Sequence, residues 1–383
     1  MSYAPVSKPT SRLARYRALS PKASVHVSPI QLGAMSIGDK WATQGMGNMD
    51  KESSFKLLDA YYDAGGNFID TANAYQDQSS EQFIGEWTEQ RSNRDQLIIA
   101  TKYTMNPTLK DDSVKQKVSF GGNNLKSLYN SVKNSLKNLR TDYIDILYVH
   151  FWDYETSIEE VMDGLHALVL QGKVLYLGVS DTPAWIVSQA NQYARDHGKT
   201  QFVIYQGAWN ILDRSFEREI IPMARAQGMA LAPYWVLATG RLRSDADEEQ
   251  RRKTGEHGRT AFGLKWERSE TEKRVVTALE KVASDVGAKH HTSVAIAYVM
   301  QKAPYVFPII GGRKVEHLEA NLEALSIKLK PEHFKELESA VPFEPGFPYT
   351  TFGNYDELSL GIARLSGYIE YHPRADPISP NDE

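Results

Sequence analysis

The sequence predicts an α/β protein closed as a single (β/α)8 barrel of the TIM type. Three observations carry that prediction. Eight short β-branched runs each lead into a longer amphipathic run. Runs such as ILYV and FVIY are apolar on both faces, as strands of a buried parallel sheet must be. No glycine-rich dinucleotide fingerprint follows the first strand: the nearest candidate, GMGNMD at 45–50, has Asp50 where the third glycine belongs and is separated from the strand by polar residues. An open doubly wound sheet therefore loses to the closed barrel.

The elements follow in order. PIQLGAMSIG (29–38) reads as the first strand, and Asp50 caps a helix whose Phe55, Leu58, Tyr61 and Tyr62 share a face before Gly65 stops it. NFIDTA (67–72) is the second strand, followed by a helix over 79–90 opened by Ser79 or Ser80. QLIIATKY (96–103) precedes a helix with Leu125, Leu128, Val132, Leu136 and Leu139 at helical spacing. Strands at 143–151, 174–180, 202–209 and 229–238 alternate with helices at 157–172, 184–198, 216–228 and 275–288. VFPIIGG (306–312) and a helix at 314–325 complete the eighth unit. The charged run 243–259 reads as a mobile solvated loop.

Composition narrows the function. The chain has 383 residues, 44 Lys+Arg against 48 Asp+Glu, and no cysteine. A net charge of −4 does not suit a nucleic-acid binder working through a basic face. Without cysteine there is no disulfide scaffold, zinc ribbon, iron–sulfur cluster or thiol nucleophile. No apolar run approaches a membrane span, and the N-terminus lacks the apolar core of a secretory signal, so the expected location is the cytoplasm. The adjacent His290 and His291 point about 100° apart on a helix and cannot clamp one metal, and no HExxH or GxSxG occurs. No metal site is expected.

In such a barrel the chemistry sits at the C-terminal ends of the strands. Strand two ends at Asp70 with Tyr75 five residues on, strand three at Lys102, and strand four at His150. An acid, a phenol, an ammonium and an imidazole on one rim suit proton transfer to a carbonyl oxygen as hydride arrives at its carbon. A phenol is a poor acid near neutrality until an adjacent ammonium stabilises its anion. Lys102 supplies that charge, Asp70 keeps Lys102 ionised, and His150 orients the carbonyl. A lyase using Lys102 as a Schiff base is the competing chemistry.

Taken together, GGNFIDTANAY, IIATKY, YVHFWD, LGVSD and PIIGGRKVEHLEAN resemble the aldo-keto reductase superfamily, and LGAMSIGDKW and APYWVLATGRL resemble its fungal aryl-alcohol dehydrogenase branch. The resemblance covers roughly 28–340. It implies NADP(H) bound without a Rossmann fold and carries over Asp70, Tyr75, Lys102 and His150 as the catalytic set. It also implies cofactor contacts from Ala34, Met35 and Ser36 to the nicotinamide ribose, from Ser180 and Gln206 to the carboxamide, and from Tyr234 beneath the ring. Asp181 stands where the family usually has Asn; it can accept from the amide but, when ionised, cannot donate to it. Trp235, Leu237, Thr239 and Gly240 continue the cofactor strip. Gly311, Gly312, Arg313 and Lys314 open a helix suited to phosphate, with cations for a 2′-phosphate, and His317 and Asn321 match adenine-side positions.

The same resemblance divides the chain into an N-terminal extension (1–27), read as solvated, the barrel (28–340), and a tail (341–383) bordering the substrate pocket. The tail carries Phe343, Phe347, Tyr349, Phe352, Tyr355, Tyr368 and Tyr371. With Trp41, Tyr103 and Trp152, and with Tyr75 and His150 at its base, an aromatic pocket for an aryl aldehyde or alcohol is expected. Reduction of a polyketide-type ketone, or a cofactor-sensing regulatory role with little turnover, are the alternatives. The stretch 104–124 has no assigned purpose at this level.

Overall fold

In the computed structural model, which describes residues 6–42, 45, 47–255, 266–353, 367–368, 370, 373 and 375–380, an antiparallel hairpin precedes a ring of eight parallel strands. The hairpin is β1 (Arg17–Ser20) and β2 (Ala23–Val27). The ring runs β3 (Gln31–Gly33), β4 (Phe68–Asp70), β5 (Ile98–Tyr103), β6 (Ile144–Val149), β7 (Val174–Ser180), β8 (Phe202–Ala208), β9 (Ala230–Tyr234) and β10 (Ile309–Ile310). Each strand pairs in parallel with the next, and β10 pairs with β3. The ring closes where the Leu231 N–H bonds the Tyr305 carbonyl (2.9 Å) and the Phe307 N–H bonds that of Leu231 (2.8 Å). The expected (β/α)8 architecture is what the chain adopts.

Helices α1 (Lys51–Asp63), α2 (Ser79–Arg91), α3 (Leu125–Asn138), α4 (Ile158–Leu170), α5 (Ala184–Asp196) and α6 (Phe216–Gln227) wrap the outside. Their starts are set locally: Asp50, Asn124 and Ser157 each accept a backbone N–H from the first turn of α1, α3 and α4. On α3, Leu128 and Val132 are buried, each stabilising by about 1.5–3 kcal/mol, whereas Leu125 is exposed at the first turn. Neither Ser79 nor Ser80 caps α2. Its N-cap is Gln78 in the left-handed region, and the two serines bond the carbonyls of Gln76 and Ala34 instead.

Four regions depart from the sequence reading. Residues 17–27 are not a solvated extension: the hairpin turns at Pro21-Lys22 and buries Leu19 and Val27 on the N-terminal face, with Leu13 buried ahead of it. The charged run is not simply a mobile loop, since α7 (Asp245–Thr254) forms in it. A Ser244–Asp247 capping box, acids in the first turn and bases in the last all match the helix dipole; the rest of that run, 256–259, lies outside the described residues. The helix expected at 275–288 begins earlier, as α8 (Glu270–Val286), behind its own Ser269–Glu272 capping box. Two further helices, α9 (His291–Lys302) and α11 (Pro331–Ala340), flank α10 (Val315–Leu322). α9 is buried continuously from Ser293 to Met300, so it shows no amphipathic period to detect.

In the tail, Phe343 lies over the Arg214 and Arg218 guanidinium groups, Arg218 donates to the Glu344 and Pro345 carbonyls, and Tyr349 bonds Glu219. These contacts tie the tail to the start of α6. Tyr355 and Tyr371 lie outside the described residues.

Candidate active site

The three strands that end in Asp70, Lys102 and His150 are neighbours, so their rim ends deliver those side chains to one place. Lys102 is fully buried, with its ammonium 2.7 Å from Asp70 Oδ1, 2.6 Å from the Thr71 carbonyl and 3.5 Å from the Tyr75 hydroxyl. Burial pulls that ammonium below its ordinary pKa, and Asp70 works against the fall. The second Asp70 oxygen accepts from the Gln206 amide (2.8 Å), so the carboxylate is held from both sides. The His150 ring meets Tyr75 edge to face at 5.9 Å. Burial first, and the Lys102 charge second, hold its imidazole well below the usual value, so it is neutral near pH 7. Its Nδ1 is buried without a hydrogen-bond partner.

Tyr75 is followed by three non-glycine residues in the left-handed region, Gln76 (φ 52°), Asp77 (φ 49°) and Gln78 (φ 80°). Such a backbone costs on the order of 1 kcal/mol per residue and persists only where surroundings fix it. On the next strands, the Ser180 hydroxyl is buried against Asp181, which also accepts from the Tyr234 hydroxyl with both oxygens at 3.0 Å. Burial pushes Asp181 up to about 6, with Tyr234 and Lys102 pulling it down. Tyr148 fills the barrel interior beside Lys102, and Gly178 on the neighbouring strand makes room for it: a Cβ there would stand 2.4 Å from the ring.

A family model described as the aldo/keto reductase family matches residues 29–342. The chain is 60% identical over 381 residues, 99% of each sequence, to an aryl-alcohol dehydrogenase [NADP(+)] of Phanerodontia chrysosporium. It is 47% identical to an aryl-alcohol dehydrogenase of Pestalotiopsis microspora, covering 100% of this chain and 97% of that one. To norsolorinic acid reductase B of Dothistroma septosporum it is 52% identical over 88% of this chain and 83% of that one. The chain belongs to the aldo/keto reductase family.

In this aldo/keto reductase the remaining sequence-predicted residues divide by place. Ala34, Met35 and Ser36 follow β3 at the rim, where the Ala34 N–H bonds the Asp70 carbonyl. Trp235, Leu237, Thr239 and Gly240 form a tight turn after β9, with Trp235 and Thr239 left-handed. Arg313, Lys314 and His317 line a cavity of about 550 Å³ together with Ser53, Lys56 and Leu57 of α1. Burial, then the Lys314 charge, lowers the His317 pKa and leaves the ring neutral. Asn321 is buried on α10. Trp41 packs edge to face on Tyr75 at 6.2 Å. Trp152 is mostly buried, and Tyr103 is wholly so, its hydroxyl donating to the Asn123 carbonyl.

Sequence reasoning missed the Gln206 hold on Asp70, the Tyr148 packing and the burial of Gln76. It also missed Glu81, fully buried and bonded by Thr101 (2.7 Å), the residue beside Lys102. A Glu inside a helix face gives no signal of its own. His290 and His291 bond Glu323 and the Leu242 carbonyl, and no metal-holding cluster occurs among the described residues. No described helix is long and apolar enough to cross a membrane.

Proposed function

We propose that the protein is an NADP(H)-dependent oxidoreductase interconverting aryl aldehydes and aryl alcohols, with Tyr75 as the acid–base group. The observation that carries this reading is the buried Asp70–Lys102–Tyr75 chain beside a neutral His150, in a chain 60% identical to a relative named for that activity.

The residues present suit the dinucleotide. An added Cβ at Gly311 would meet only the Gly33 carbonyl, at 3.8 Å, so the chain leaves space for phosphate where α10 begins. Arg313 and Lys314 offer cations to a 2′-phosphate, and the buried Ser180 hydroxyl with Asp181, Gln206 and Tyr234 faces the nicotinamide end. The rim residues Ala34–Ser36, the turn 235–240, His317 and Asn321 complete the cofactor contacts. Bound NADPH supplies the hydride.

The chain's own groups handle the proton. A neutral His150 ring N–H donates to the carbonyl oxygen and fixes its direction. Tyr75 gives its hydroxyl proton to the same oxygen, and the Lys102 ammonium 3.5 Å away takes up the charge left on the phenolate. Asp70 keeps Lys102 protonated against burial. Trp41 and the ring of Tyr75 form an apolar edge for an aromatic substrate, with Trp152 on the His150 side.

The decisive experiment follows NADPH consumption with a methoxylated benzaldehyde in the native protein and in Tyr75→Phe. Turnover that collapses by about 10³-fold in the variant, with NADPH binding retained, supports the reading. Equal turnover in both overturns the role of Tyr75. A second reading, reduction of a larger ketone, draws on the 52% identity to norsolorinic acid reductase B. A panel of aldehydes and ketones separates the two.

A further inference from the structure

Gln76 has no side-chain freedom and no solvent: it is fully buried, next in sequence to Tyr75, and left-handed. Its carboxamide makes three hydrogen bonds, all to backbone of the segment that follows β3. Oε1 accepts from the Trp41 N–H (2.9 Å), and Nε2 donates to the carbonyls of Met35 (2.9 Å) and Gly47 (2.8 Å). The segment is shaped around it, since Gly38 sits at φ +122° and a Cβ there would come within 2.5 Å of Gln76 Cβ. At one end, a Cβ on Gly47 would lie 3.6 Å from Arg313 Cδ, beside the proposed 2′-phosphate site. At the other, Trp41 meets Tyr75 edge to face and donates its indole N–H to Asp77 (2.9 Å), which in turn pairs with Lys110 of the 104–124 stretch (3.4 Å).

A glycine would occupy this left-handed position without strain. The glutamine's side chain instead reaches both ends of the site at once. We propose that Gln76 is a positioning residue that registers the nucleotide side of the pocket (Met35, Gly47) with the aldehyde side (Trp41, Tyr75). Through it, order imposed at either end reaches the other. This rests on the reductase reading above and adds to it a residue that touches neither reactant. The 104–124 stretch meets the same turn, where Lys110 pairs with Asp77 and the Pro107 carbonyl accepts from Gln78 (3.2 Å).

The test uses the full-length protein with Gln76→Gly and Gln76→Met, the first relieving the backbone and the second keeping the volume. Four quantities are read: melting temperature, NADPH Kd by fluorescence quenching, aldehyde KM and kcat, and hydrogen exchange of a peptide containing Trp41. In Gln76→Gly we expect a lower melting temperature from the emptied volume and the lost hydrogen bonds, faster exchange at Trp41 and, assayed well below that melting temperature, an aldehyde KM raised about tenfold and an NADPH Kd raised about fivefold, the scale of one or two lost buried hydrogen bonds. Gln76→Met shows the same two losses. In a Trp41→Ala background, Gln76→Gly adds little to the aldehyde KM yet still weakens NADPH, because the two residues act on the aldehyde as one unit. Unchanged KM and Kd in the folded Gln76→Gly protein, or additive effects on KM in the double variant, each overturn the proposal. A native protein that turns over no aryl aldehyde refutes the substrate reading instead, and the NADPH Kd and exchange measurements still decide the role of Gln76.

Discussion

Two buried charge clusters, on opposite sides of the barrel, use the same kind of contact for different ends. On β4 and β5, Lys102 and Asp70 pair at 2.7 Å with almost no exposure, each anchored in a strand of the ring. Beside α7, Arg268 bonds Glu248 (2.5 Å), Asp245 and the Arg243 carbonyl (2.6 Å), while Arg243 adds a second guanidinium to Glu248 (3.3 Å). The first is a single pair with one cation for one carboxylate, poised against a phenol. The second is a redundant knot of two guanidinium groups that fastens the segment after β9 to the start of α8. Scarcity serves chemistry, because each group's charge remains committed to the reacting site. Redundancy serves fastening, because one lost contact leaves the others.

Breaking the two clusters separately tests that difference. Lys102→Met leaves the Asp70 carboxylate buried without its cation, at a cost of about 3–5 kcal/mol, read as a large fall in denaturant midpoint together with lost turnover. Arg268→Met is milder, about 1–3 kcal/mol, since Arg243 still faces Glu248; a loss equal to that of Lys102→Met refutes the redundancy argument. Asp181 sharpens the comparison through pH. Its carboxyl is raised to about 6 in the folded chain, so the folded state holds the proton more tightly than the unfolded one. Its contribution is fully present below about pH 4 and is lost as pH rises through about 6, a change of at most about 3 kcal/mol. Asp181→Asn flattens the stability profile across that window, and an unchanged slope in thermal melts from pH 4 to 7 contradicts the shift. The smallest effect belongs to Lys56→Ala on the surface of α1, whose exposed pair with Glu52 is worth too little to move the melting temperature.

Much of this was legible in the sequence, and the pattern of misses has a physical cause. β7 begins and ends where its apolar run does, Asp50 caps α1, and Asp70, Tyr75, Lys102 and His150 meet as their strand-end positions require. These are local or periodic signals. The hairpin at 17–27 gives little signal because its two strands are only four and five residues long and are joined by a two-residue turn. α9 was missed because total burial erases amphipathic periodicity. Gln76 and Gln206 were beyond reach for another reason: their partners lie 29–41 and 136 residues away, and no spacing rule encodes such a contact.

The closure of the ring between β9 and β10 has a mechanical meaning. β10 is two residues long, and the joint across it rests on the Leu231 bonds to Tyr305 and Phe307, against a five-position register between β8 and β9. A barrel held together by staves opens first along its thinnest joint. In the order of the ring, β5 and β6 stand diametrically across from that joint, and they carry Lys102 and lead to His150. The staves that bear the proposed proton chemistry are the ones farthest from where the cask would spring.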